Sequence, residues 1–240
     1  MPPTTPSQRN EIIDWYKSIP STTRFLLSTM VITTTASSLG FVSPSSLILY
    51  WPDVKYRLQI WRLASCFFVN RLSLDFAFNA YFFYSNSLQL ETQVFQSQPA
   101  DYVFFHLFTG SLQVMAAGFL NLYVLSDGIL LSTIYLLSQH FRDSPVWFMF
   151  GIRLKALYLP WAIIAQKFVM SGGEIPKASI AGLLSAHIYY YLTTIYPSQG
   201  GRRYLQTPEF LKQFFSNRPR NSQTNMFGRH AWGSGRRLDS

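Results

Sequence analysis

The chain has 240 residues, of which 48 % are hydrophobic and only 13 % charged, about half the charged share of an average soluble domain. Aromatic residues reach 17 %, with 21 Phe, 14 Tyr and 6 Trp, a load that suits the two interfaces of a bilayer better than a soluble core. Residues 199–240 hold eight basic side chains against Glu209 and Asp239, so six of the nine net positive charges sit in the tail. A basic tail beside an apolar body stays on the cytoplasmic side of a membrane, and no nucleic-acid partner is needed to explain it.

The one cysteine, Cys66, excludes an internal disulfide. No Asn-x-Ser/Thr sequon occurs, which fits a chain with little mass on the lumenal side. No charged start, apolar run and small-residue cleavage site open the sequence, so the first apolar helix is expected to act as its own targeting signal. No cofactor or metal is expected.

Residues 1–23 are polar and form an expected cytosolic segment. Within them, residues 11–17 (EIIDWYK) are expected to form an interfacial helix with Ile12, Trp15 and Tyr16 toward lipid. A first span is expected at about 25–42, with Arg24 at its cytosolic end. Residues 44–71 mix Asp53, Lys55, Arg57, Arg62 and Arg71 with Leu47, Ile48, Leu49, Tyr50, Trp51, Ile60 and Trp61. That mixture is too apolar for open water and too charged for a bilayer core, and it reads as an amphipathic interfacial loop. Further spans are expected at about 72–88, 102–119, 120–139, 156–170 and 179–196, the third and fourth joined with almost no loop. Residues 146–154 read as an interfacial segment. Several spans are shorter than the ~20 residues that a 30 Å hydrocarbon layer requires, and a bilayer relieves such mismatch by thinning. Six spans place both termini in the cytosol. The fold class is therefore an all-α, six-helix membrane domain over residues 24–197, followed by a basic tail at 198–240.

Six spans with a large amphipathic first loop resemble the rhomboid superfamily, and local blocks narrow this to the Derlin family. Gln59-Ile60-Trp61-Arg62 followed by Cys66-Phe67-Phe68 resembles the Trp-Arg loop motif. Asn79-Ala80-Tyr81-Phe82-Phe83-Tyr84-Ser85 with Leu90-Glu91 resembles the second helix, and Pro99-Ala100-Asp101-Tyr102 the start of the third. Tyr158-Leu159-Pro160-Trp161 is similar to the fifth-helix block, and His187-Ile188-Tyr189-Tyr190-Tyr191 to the sixth. Gly200-Gly201-Arg202 and Thr207-Pro208 resemble the cytosolic exit. The order and spacing of these blocks carry the resemblance over roughly residues 10–240.

The resemblance implies a non-enzymatic factor of endoplasmic-reticulum-associated degradation. Such a protein is a multi-pass resident of that membrane with both termini cytosolic. It receives misfolded proteins, assists their retrotranslocation and works with a ubiquitin-ligase complex, as a homo- or hetero-oligomer. The alternatives are an active rhomboid-type intramembrane serine protease and a pure scaffold. Gly182-Leu183-Leu184-Ser185-Ala186-His187 resembles the rhomboid Gly-x-x-x-Ala-His pattern, but no Gly-x-Ser-Gly nucleophile motif occurs. Without small neighbours, neither base nor oxyanion donors come close to a serine, so no catalytic residue is assigned. His187 reads as a polar residue bonded across helices, and Ser185 as a packing residue.

Trp61 and Arg62 read as interfacial anchors or as the residues that fix the loop, and the two readings are compatible. Asn79, Tyr84 and Ser85 are candidates for a wet groove that offers hydrogen bonds to an unfolded client; interhelical bonds are the alternative. The tail segment 227–238 resembles the SHP box by which Derlins bind a AAA ATPase of the valosin-containing-protein type. Phe227, Trp232, Gly233, Gly235 and Leu238 are the positions that match it, with apolar anchors between glycines that permit strand-like docking.

Overall fold

The computed structural model describes residues 11–96, 98–148, 152–202 and 205–216. The chain opens with α1 (Glu11–Ser18) and α2 (Ser21–Ser38). Three short helices follow in the loop: α3 (Pro44–Leu47), α4 (Trp51–Tyr56) and α5 (Arg62–Ser65). Next come α6 (Leu74–Gln89), extended by a π-turn over Leu90–Val94, then α7 (Pro99–Leu120) and α8 (Ser126–His140). An antiparallel hairpin of β1 (Pro145–Phe148) and β2 (Ile152–Lys155) precedes α9 (Leu159–Met170). The chain continues through α10 (Lys177–Tyr190), a π-turn at Tyr191–Ile195, a single turn α11 (Tyr196–Ser198) and α12 (Glu209–Ser216).

Helix α8 is the centre of the bundle. Eleven of its fifteen residues are buried, and α6, α7, α9 and α10 all pack on it. The main core joins Leu130, Leu131, Ile134 and Leu137 of α8 to Phe83, Tyr102, Phe105, Ile163, Leu183 and Tyr189. Helices α8 and α10 cross in close contact. A Cβ at Gly182 would stand 2.2 Å from the Gly128 carbonyl oxygen and 2.6 Å from its Cα, so this crossing admits no side chain at Gly182. Small residues at such a point let backbones approach where packing, not water exclusion, drives association.

Helix α2 is tied to α6 and α7 by a buried polar chain. Glu91, only 2 % exposed, accepts from the backbone N–H groups of Thr22 (3.1 Å) and Thr23 (2.7 Å) and from the Thr23 hydroxyl (2.7 Å). These N–H groups belong to the first turn of α2, where no intrahelical acceptor exists, and a carboxylate there also meets the positive end of the helix dipole. The Thr23 proton goes to Glu91, so Thr23 accepts from Ser87 at 2.9 Å, and Ser87 in turn accepts from the Tyr102 phenol. At another end of the bundle Lys167 donates to Asp127 at 2.6 Å, joining the last turn of α9 to the first turn of α8, each charge placed where its helix dipole favours it.

Three expectations are corrected. The fold is mostly helical and not purely so: Pro145–Phe148 and Ile152–Lys155 pair as antiparallel strands, with Trp147 beneath the Arg153 guanidinium at 4.3 Å and Lys155 paired with Asp143 at 3.0 Å. The third and fourth helices are separated by residues 121–125, because Asn121 takes a left-handed conformation that ends α7. The helix expected at 25–42 stands at Ser21–Ser38. Within the basic tail, α12 packs on α7 with Leu211 buried, while Phe210 and Phe214 stay exposed. Among the described residues one helix, Pro99–Leu120, is long and apolar enough to cross a membrane, and Ala156–Met170 is a shorter apolar one.

Candidate functional site

The loop between α2 and α6 carries the most organised polar site. Arg62 is 5 % exposed, and every nitrogen of its guanidinium is engaged. Its Nε donates to the Gln59 side chain at 2.6 Å, one terminal nitrogen to the carbonyls of Ser45 (2.6 Å) and Ile48 (2.8 Å), and the other to Asp53 at 3.0 Å. Ser65 adds a bond to the Leu47 carbonyl at 2.7 Å. The guanidinium therefore gathers α3, α4 and α5 around one planar fork, a geometry an ammonium cannot copy. The two prolines at the starts of α3 and α4 sit where a missing N–H costs nothing.

The same loop docks on the bundle through its backbone and an apolar underside. Leu49 N donates to the Tyr123 carbonyl at 2.8 Å, and Leu125 N to the Cys66 carbonyl at 2.9 Å. Leu49, Cys66 and Phe67 pack with Ala117 and Leu125 in a second core. Trp51 covers Gly118, where a Cβ would meet its ring at 3.4 Å. Burial pushes the Cys66 thiol up to about 12. The outer flank is apolar and open: Tyr56, Leu58, Ile60 and Trp61 are all exposed, Trp61 by 54 %. The neighbours Trp61 and Arg62 thus have opposite placements, the indole on the outer face and the guanidinium inside.

The structure separates the three α6 candidates. Asn79 is buried on the inward face and donates to Asp75 at 2.9 Å. Tyr84 and Ser85 are half-buried and lie roughly 120–140° around the helix from Asn79, at ~100° per residue. Tyr84 stacks at a tilt on Trp15 of α1, ring centroids 5.6 Å apart.

His187 is exposed on α10, and its Nδ1 shares a hydrogen bond of 2.6 Å with the Tyr135 hydroxyl of α8. The fourth-helix serines turn away from it: Ser132 donates to the Ile129 carbonyl at 2.9 Å and Ser138 to the Tyr135 carbonyl at 2.7 Å. Ser185 is buried, donates to the Gly182 carbonyl at 2.8 Å and accepts from Gln113 at 3.2 Å. Segment 227–238, with Phe227, Trp232, Gly233, Gly235 and Leu238, lies outside the described residues. Sequence reasoning missed Tyr135 and the capping role of Glu91. The signal for the second was present: α2 opens with Ser-Thr-Thr and has no acid of its own in its first turn.

A helical bundle built for apolar surroundings, with an amphipathic loop clamped on one guanidinium, is the class of protein this geometry defines. A family model described as the Der1-like family matches residues 19–209, and the chain belongs to that family. It is similar to Derlin-1 of Homo sapiens, 36 % identical over 250 residues, covering 95 % of this chain and 98 % of that one. It is also similar to Derlin-1 of Drosophila melanogaster (32 %, 83 % and 82 % covered) and to Derlin-2.2 of Arabidopsis thaliana (31 %, 86 % and 88 % covered).

Cys66 reports on the clamp. In the wild-type protein a maleimide at neutral pH is expected to leave Cys66 unmodified, because the thiol is buried and thiolate is the reactive form. Arg62→Ala leaves three loop acceptors and the Asp53 charge without a partner, a loss of roughly 3–5 kcal/mol, and is expected to expose Cys66 to rapid labelling. Equal labelling rates in the two proteins, followed by intact mass, contradict the clamp.

Proposed function

We propose that this protein is a non-enzymatic factor of endoplasmic-reticulum-associated degradation, which receives misfolded proteins in the membrane and assists their passage to the cytosol. Membership of the Der1-like family and its likeness to Derlin-1 support the pathway. The observation that carries the non-enzymatic reading is the Tyr135–His187 pair. A serine hydrolase needs a hydroxyl nucleophile against its histidine and donors for the oxyanion. Here the His187 Nδ1 bonds a phenol of the fourth helix, Ser132 and Ser138 of that helix donate to backbone carbonyls instead of the histidine, and no Gly-x-Ser-Gly segment occurs in the chain.

In this reading helices α2, α6, α7, α8, α9 and α10 are the six membrane spans, with α1 and α12 at the cytosolic interface. Helix α7, with 22 residues, is about 33 Å long, whereas α8, with 15, is about 22 Å at ~1.5 Å per residue. Set against a hydrocarbon layer of ~30 Å, the short helices favour a locally thinned bilayer, which shortens the apolar barrier for a client. The clamped loop, with Trp61 on its outer flank, anchors the bundle at the interface. Tyr84 and Ser85 offer polar contacts to a client beside α6, with Asn79 behind them. The tail recruits the AAA ATPase through 227–238, with Phe227, Trp232 and Leu238 as anchors, and a ubiquitin-ligase complex marks the client.

Two experiments test this. Purified protein in liposomes, treated with a fluorophosphonate probe and a rhomboid substrate, is expected to show neither labelling nor cleavage. Labelling of an α8 serine that disappears in His187→Ala overturns the non-enzymatic reading. In a pull-down with tail peptides, Trp232→Ala/Leu238→Ala is expected to weaken ATPase binding about tenfold or more at high salt, since buried aromatic anchors dominate such interfaces while the arginines act mainly on association rate. Equal binding by both peptides at high salt removes the recruitment role.

A further inference from the structure

A cavity of about 580 Å³ lies between α2, α5 and α7, within the ~300–1,000 Å³ of small-molecule sites. It is distinct from both the loop clamp and the His187 pair. Its walls are Leu26, Phe67, Phe68, Val114 and Ile129, and no Asp, Glu, Lys or Arg lines it. Phe25, Leu107 and Met115 stand at its rim, each more than half exposed, so the cavity opens onto the apolar outer surface of the bundle.

Three side chains on its wall, His106, Thr22 and Gln113, have a buried polar atom without a partner. Neither ring nitrogen of His106 makes a hydrogen bond although both are buried, and the same holds for the hydroxyl of Thr22, a residue 6 % exposed. Among the described residues the buried Trp51 Nε1, Gln113 Oε1 and Ser179 Oγ are also unpaired, and a buried polar group left unpaired costs about 1–3 kcal/mol. The other polar wall residues are engaged: Thr109 donates to the Phe105 carbonyl at 2.8 Å, and Ser111 to the Phe108 carbonyl at 2.8 Å. Gln113 donates to Ser185, and its free oxygen lies against Gly128, at the helix crossing. Thr22 sits in the first turn of α2 and His106 in the second turn of α7. Along α7 the wall continues to Met115, nine residues or about 13 Å further on, with Leu107 and Val114 apolar and the hydroxyls of Thr109 and Ser111 turned to backbone carbonyls. The cavity has a small polar end and a long apolar body.

We propose that this cavity binds an uncharged, hydroxyl-bearing lipid of the bilayer. An imidazole with one N–H offers one donor and one acceptor, and with the Thr22 hydroxyl it matches a single alcohol group, which both gives and receives a hydrogen bond. The uncharged wall excludes a phosphate or carboxylate head, since a charge brought there has nothing to pair with. The apolar run takes the hydrocarbon. A sterol and a diacylglycerol share this chemistry, and the inference requires only that the chain lie in a bilayer, not that it export clients.

The test uses the full-length protein in phosphatidylcholine vesicles with photoactivatable, clickable cholesterol and, separately, diacylglycerol. Crosslinks from at least one probe are expected on the α2 and α7 peptides, competed by the same lipid unlabelled and not by phosphatidylserine. The arm that labels identifies which of the two lipids is bound. His106→Leu and Thr22→Val are each expected to lower labelling about five- to tenfold, the effect of one lost hydrogen bond, with unchanged elution from a sizing column. Thr22→Val keeps the backbone bond to Glu91, so it decides the matter where His106→Leu does not elute as wild type. Labelling absent from α2 and α7 with both probes, equal competition by phosphatidylserine, or wild-type labelling in Thr22→Val overturns the proposal.

Discussion

A guanidinium buried among carbonyl oxygens holds whatever contributes those oxygens, because no water stands ready to replace it. Arg62 is in that position. Asp53 neutralises its charge, Gln59 takes the Nε proton, and the carbonyls of Ser45 and Ile48 close the ring. Breaking such a set leaves buried, unpaired polar groups behind, which is why removing one member costs far more than the pair contributes. The loop is therefore a fixed body, not a flexible connection. It presents Tyr56, Leu58, Ile60 and Trp61 outward while Leu49, Cys66 and Phe67 key it to α7 and the α7–α8 connection.

The rest of the bundle follows the same logic, in which a few polar contacts and close approaches orient helices that apolar packing alone would leave free to slide. Without water to exclude, packing and polar contacts set helix positions in a membrane. Glu91 fixes the start of α2 through two backbone N–H groups and one hydroxyl. Gly182 against Gly128 fixes the crossing of α10 on α8, and Lys167 with Asp127 fixes the start of α8 beside α9. The Tyr135–His187 bond belongs to this set. It spans α8 and α10 and joins the Tyr135 hydroxyl to the His187 Nδ1.

The sequence made the helical order, the amphipathic character of the loop and the polar nature of Arg62 legible, because each rests on local composition. It left unread what depends on partners distant in the chain. Glu91 looks like a loop acid until α2, 68 residues earlier, is seen to need a cap. Trp61 and Arg62 read as interfacial anchors or as the residues that fix the loop, and only the fold shows the indole outside and the guanidinium inside. Residues 146–154 read only as an interfacial segment, because Trp147 and Arg153 reveal their pairing only across the strands. Asn79, Tyr84 and Ser85 share a helix and polarity but not a face. His106 gave no local signal: an apolar neighbourhood hides an unpaired imidazole from any periodicity.

The central claim is that the shape of the loop, fixed by the Arg62 fork, is what the protein's work on clients depends on. Arg62→Lys tests it most directly, because lysine keeps the positive charge and the apolar stem but cannot reach four acceptors in one plane. The measurement is the half-life of a misfolded membrane client in cells whose own copy has been deleted and replaced at matched expression. The account predicts that the Arg62→Lys protein inserts normally and leaves the client several-fold longer-lived, on the order of the deletion itself. A client half-life equal to that with the wild-type protein contradicts it and reduces Arg62 to an interfacial charge.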